Sequence, residues 1–137
     1  MAKWAITIIS ISMLFFHSCG DKESLHDTLA IPKDKYNEIL LIIDSGCSSC
    51  KNKFYEFVER EWPKDKALII RGRISQGTKY NYEKMLMEEF VILDPEDRAY
   101  SSGIIGKNTE LALLKNNKLH IYTYLEFKEL IEELKKP

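Results

Sequence analysis

Two cysteines three apart are the residues of this chain best suited to chemistry. They stand in the stretch IIDSGCSSCKNKFYEF, residues 42–57, as Cys47 and Cys50. A thiolate is both a nucleophile and a metal ligand, and two intervening residues bring the sulfurs within bonding reach across one helical turn. Three chemistries are open to such a pair: dithiol–disulfide exchange, half of a metal site, or a passive bridge. A bridge here closes a very small loop, and the entropy gained by cross-linking shrinks with loop size, which favours exchange over a staple. Zinc or copper wants three or four converging ligands. His26 and His120 are remote from the pair in sequence, and no second CxxC and no HxxxH accompanies it. No metal and no bound cofactor is therefore expected.

The neighbouring sequence says what positions the pair. Residues 39–43, ILLII, form a continuous aliphatic run, the pattern of a strand buried on both faces of a parallel sheet. Asp44, Ser45 and Gly46 break it. Phe54, Phe57, Val58 and Trp62 then recur at helical spacing until Pro63. Cys47 thus falls where a buried strand hands over to a helix. Unpaired amides and the positive end of the helix dipole favour a thiolate at such a place.

Further elements follow in the same rhythm. Residues 67–70 read as a second buried strand, about 79–88 as a helix, and 90–93 as a third strand closed by Asp94 and Pro95. A short helical turn is expected over 97–102. Residues 111–114 and 119–122 flank Lys115-Asn116-Asn117-Lys118, whose asparagines tolerate positive φ and suit a tight hairpin. Thr123 and Glu126 form a capping box before the stripe Phe127, Leu130, Ile131, Leu134. Alternating strands and helices predict an α/β fold: a parallel core with helices on both faces, closed by an antiparallel hairpin and a last helix. Arg71, Gly72 and Arg73 follow a parallel strand. They are expected at the same sheet end as the cysteines, to acidify a thiol, to meet an acidic partner, or simply as a solvated loop.

A CxxC between a buried strand and an amphipathic helix, with that downstream order, resembles the thioredoxin superfamily. The nearest likeness is to its extracytoplasmic, membrane-anchored thioredoxin-like and redoxin branch, over residues 36–135. Three stretches carry it: IIDSGCSSCK, FVILDPEDRAY, and TELALLKNNKLHIY with the capped helix after it. The resemblance implies a thioredoxin-like fold with Cys47 as attacking thiol and Cys50 as resolving thiol. It also implies protein thiols or disulfides as substrates and a separate redox partner. Four positions depart from the family pattern. Gly46 replaces the usual aromatic before the first cysteine, and Ser48-Ser49 replaces a pair with Pro or His. Leu41 replaces a buried acid; Asp44 is nearer in sequence, but strand parity sends it elsewhere. Thr109 takes the place of a cis-proline that positions substrate.

The first twenty residues have a separate character. One cation, Lys3, precedes an apolar run over 4–16, which ends in His17-Ser18-Cys19-Gly20. The run is short for a permanent membrane span and fits the apolar core of a secretory signal. FHSC resembles the bacterial lipobox, with Phe16 where Leu is usual. The resemblance implies a signal peptide over 1–18, lipidation of Cys19, a tether over 19–34 and a folded domain over 35–137. The alternatives are an ordinary signal peptide cut near Gly20 and an uncleaved anchor. Lipidation would place the protein in the cell envelope, held to the inner or outer membrane and facing the periplasm or exterior. There a disulfide between Cys47 and Cys50 is permitted.

Composition narrows the field further. The chain has 137 residues, enough for one domain, with 45% hydrophobic and 30% charged residues and a net charge of −1. That balance gives no electrostatic case for nucleic acid. Two functions remain: a thiol–disulfide oxidoreductase of the envelope, or a non-catalytic thioredoxin-like lipoprotein serving as an interaction module.

Overall fold

The structure, a computed structural model, describes residues 24–137. The signal peptide expected over 1–18 and the lipidation expected at Cys19 lie outside the described residues. Five strands form one mixed sheet in the order β3-β2-β1-β4-β5. Strands β1 (Glu38–Ile43), β2 (Lys66–Arg71) and β3 (Val91–Asp94) are parallel; β4 (Leu111–Lys115) and β5 (Lys118–Tyr122) complete the sheet antiparallel to their neighbours. The hairpin between β4 and β5 turns on Asn116 and Asn117 at φ +51° and +59°, as the asparagine pair predicts.

Strand parity divides the core in two. Leu40, Ile42, Leu68, Ile70, Leu111 and Leu113 face helix α2 (Ser48–Glu61), α4 (Glu83–Leu86) and α6 (Phe127–Leu134). Phe54 is fully buried there, and its truncation to Ala costs about 3–5 kcal/mol. On the other face Ile39, Leu41, Ala67, Ile69 and Ala112 meet Leu25, Leu29, Ile31, Ala99 and Ile105. These come from α1 (Leu25–Thr28), α5 (Arg98–Ser101) and the segments that follow them. Both faces of the sheet are thus covered. Leu130 and Leu134 of α6 are buried and Phe127 and Ile131 half-buried, so the predicted stripe is the packed one.

Three local differences from expectation have physical causes. From Ser24 onward the stretch expected as a tether is docked: Leu25, Leu29 and Ile31 are buried because the second face needs an apolar cover. The helix expected over 79–88 is two short ones, α3 (Gln76–Asn81) and α4, joined at Tyr82. Tyr82 leaves helical geometry at φ −125° and lays its ring 5.0 Å from that of Tyr55. Helix α3 starts early because the Ser75 hydroxyl accepts the Thr78 amide at 3.2 Å. Phe90, expected within the third strand, stands just before it and stacks on Trp62 at 5.9 Å. Among the described residues no helix is long and apolar enough to cross a membrane.

Candidate active site

Strand β1 delivers the chain to the cysteines at the end of the sheet where the parallel strands finish. Beyond Ile43, Asp44 is still buried, Ser45 is exposed and Gly46 turns at φ +97°. Few L side chains tolerate that backbone region, so the aromatic usual in the resembling family would be strained here. A Cβ on Gly46 would meet nothing within 4 Å, which leaves the approach to the next residue open. Cys47 then takes the N-cap position of α2 at φ −61°, ψ 107°.

Cys47 is exposed and Cys50 half-buried against the first core. Both are free thiols, with Sγ atoms 2.9 Å apart and Cys50 donating to Cys47. That hydrogen bond is the main reason the Cys47 thiol ionises below its ordinary value, helped by the Cys50 and Ser49 amides and the charge of Lys53. No amide makes a strict capping hydrogen bond to the sulfur, yet those two lie near enough to favour the thiolate. Cys50 is pushed the other way, because ionising it would forfeit the hydrogen bond, desolvate a charge and face the Cys47 sulfur. The pair is therefore electrostatically unequal.

Asp44 anchors the floor beneath this loop. Its carboxylate accepts from the Tyr55 hydroxyl at 2.7 Å, the Ser75 amide at 2.7 Å and the Thr78 hydroxyl at 2.9 Å. Lys51, buried on α2, lies 3.3 Å away. Burial pushes the Asp44 carboxyl up, but the Ser75 amide, the two hydroxyls and Lys51 together hold it below the usual carboxylate range. Burial also raises the Tyr55 hydroxyl, which stays protonated and donates to Asp44. By strand parity Asp44 shares the face of Leu40 and Ile42, on which Cys50 also packs, and it joins β1 to α2 and to the start of α3. Leu41, which replaces the acid of the resembling family, is buried on the opposite face of the sheet.

Arg71 and Thr109 meet at the same end. Arg71 is 1% exposed, and its guanidinium forks onto Asp97 at 2.8 and 3.0 Å. A third N–H donates to the Thr109 carbonyl at 2.7 Å. Arg71 is thus a clamp between β2, the turn at Asp97 and the start of β4, whereas Arg73 is exposed. Ile42 pairs with Leu111, so continuing that register sets Thr109 across from Asp44. The Thr109 amide closes a turn onto Gly106 at 3.2 Å, and no peptide bond among the described residues is cis. Tyr124 completes the frame. Its hydroxyl donates to the Ile43 carbonyl at 2.6 Å and its amide to Glu110 at 2.7 Å. Burial raises that hydroxyl's pKa, so it remains a donor.

The roles of Lys51, Thr78, Asp97 and Tyr124 were not apparent from sequence. Only one left a readable signal, the Ser75-x-x-Thr78 spacing of a helix cap. His120 sits exposed on β5, while the His26 ring lies 3.2 Å from the Ile31 carbonyl beside α1. Neither joins the cysteines, and among the described residues no three His, Cys, Asp or Glu side chains form a metal-holding group. No family model matches the chain, and searches of curated proteins and of solved structures return no match.

Proposed function

We propose that this protein is a thiol–disulfide oxidoreductase with a thioredoxin-like domain, acting through Cys47 and Cys50. One observation carries the reading: an exposed, acidified sulfur at a helix start lies 2.9 Å from a sheltered, harder-to-ionise sulfur. The mixed sheet ending in a hairpin and helix is compatible with that domain type. The inequality supports one division of roles. The Cys47 thiolate attacks one sulfur of a client disulfide, forming a mixed disulfide and releasing the other client sulfur as a thiolate. Cys50 then gives its proton to solvent and attacks the Cys47 sulfur. The Cys47–Cys50 bond forms, the mixed disulfide breaks and the second client thiolate leaves. Two electrons have passed from the protein to the client, and a dithiol donor must restore them. The same steps reversed would oxidise a client dithiol.

The lipobox-like FHSC supports a lipid anchor at Cys19, with the domain held at the envelope surface. Insulin reduction in the presence of a dithiol tests the enzyme: wild type should be active and Cys47→Ser at background. Cys50→Ala should retain clients as mixed disulfides on Cys47. Activity that survives Cys47→Ser, or is absent from the wild type, rejects the proposal. The second reading, a non-catalytic interaction module, draws support from Gly46 and Thr109. The first gives no wall beside Cys47, and the carbonyl of the second is held by Arg71. A folded wild type that turns over no disulfide would favour it.

A further inference from the structure

We propose that the groove beside the cysteine loop docks an acidic, aliphatic-bearing segment of the client whose disulfide Cys47 attacks; the inference rests on the oxidoreductase reading and adds the substrate class. The groove encloses about 480 Å³ at the finishing ends of β2 and β3, between Gly72, Arg73, Ile74, Lys79, Leu93 and Pro95. Its place relative to the sulfurs follows from the sheet. Arg71 pairs with Ile43, so Gly72 runs beside Asp44 at the ~5 Å spacing of neighbouring strands. The Ser75 amide, next to Ile74 in the groove wall, is bonded to the Asp44 carboxylate at 2.7 Å. Cys47 is three residues beyond Asp44, past the exposed Ser45 and Gly46.

The lining has two cations and no acid. Nearby acids are engaged elsewhere: Asp97 with Arg71, and Asp94 with the Arg98 and Ala99 amides. Glu96 is exposed beside Pro95 but does not line the groove. Lys53 on α2 is a further cation at this end of the molecule, and its charge is felt at Cys47. A chain of net charge −1 therefore presents a locally positive groove at the end of the sheet that carries Cys47. Ile74, Pro95 and Leu93 (43% exposed) supply apolar contact within that groove. Such a surface favours a segment that pairs Asp or Glu with an aliphatic side chain, and rim charges of this kind act mostly on encounter.

The test compares two peptides that differ only in charge, each with a disulfide loop flanked by Glu-Leu or by Lys-Leu. Binding is measured by fluorescence anisotropy on the Cys47→Ser, Cys50→Ser protein, and turnover on the protein with its cysteines intact. The Glu peptide should be preferred by about tenfold at low ionic strength, with the preference fading as salt rises. Arg73→Glu with Lys79→Glu should reverse it. Lys64→Glu with Lys118→Glu, an equal charge change at the far end of the sheet, should leave it in place. Equal responses of the two double variants, or a wild type with no charge preference, would overturn the proposal. Charge-dependent binding without turnover by the intact protein would instead refute the oxidoreductase reading and leave the groove standing.

Discussion

The two ends of the sheet handle charge in opposite ways. At the starting ends of the parallel strands, Glu38 sits 6% exposed between Lys66 at 2.8 Å and Lys115 at 3.0 Å, and Lys115 also reaches Glu133 at 3.0 Å. These charges answer one another and leave nothing aimed at a partner. At the finishing ends, Asp44 and Arg71 are just as buried and just as fully paired, yet their partners are α2, which Cys47 caps, the start of α3, and the turns at Asp97 and Thr109. Buried ionic groups make one end a closed seam and the other the support of an exposed cysteine loop. The difference lies less in the charges than in what their partners hold.

That contrast is open to attack by substitution. Breaking a buried pair leaves an uncompensated charge and costs roughly 3–5 kcal/mol. Glu38→Gln and Arg71→Met should both lower the unfolding free energy, read from urea titration, by an amount in that range. Only Arg71→Met should also alter disulfide turnover, since it releases the Thr109 turn. Equal turnover in the two variants would erase the distinction between the ends.

A smaller effect separates the sulfurs. The Cys50 thiol is the chief cause of the lowered Cys47 pKa, so Cys50→Ala should move the midpoint of Cys47 alkylation to higher pH, toward the free-cysteine value near 8.5. An unmoved midpoint would assign the acidification to the helix start and Lys53 instead.

The smallest effect belongs to the closed seam. Lys136 and Lys115 hold the Glu133 carboxyl down to about 2, below its ordinary 4.5. A depressed carboxylate stabilises the fold above its unfolded-state pKa, and that contribution fades as pH falls from about 4.5 toward about 2. Glu133→Gln should therefore flatten the acid limb of the stability curve in that window while Cys47 alkylation keeps its profile. A variant with an unchanged acid limb would show that Glu133 carries none of it.

Much of this molecule was legible along the chain because the causes are local. Residues 39–43 are aliphatic without interruption and so belong inside a sheet; Asn116 and Asn117 accept the positive φ of the hairpin they make. Thr123 and Glu126 cap each other within one turn, and Cys47 stands where a strand ends and a helix begins. Periodicity, capping and turn chemistry act over a few residues, so the residues themselves decide them.

Packing decided the rest. Asp44 meets Ser75 and Thr78 across more than thirty positions of chain, and Arg71 finds Asp97 and Thr109 only when the sheet has closed. Leu25, Leu29 and Ile31 read as part of a polar tether until the second face of the sheet exists to bury them. A charged or apolar side chain finds its lowest free energy with partners that folding alone brings near. The sequence therefore determined that two cysteines would start a helix, and the tertiary structure determined which buried charges hold that start in place.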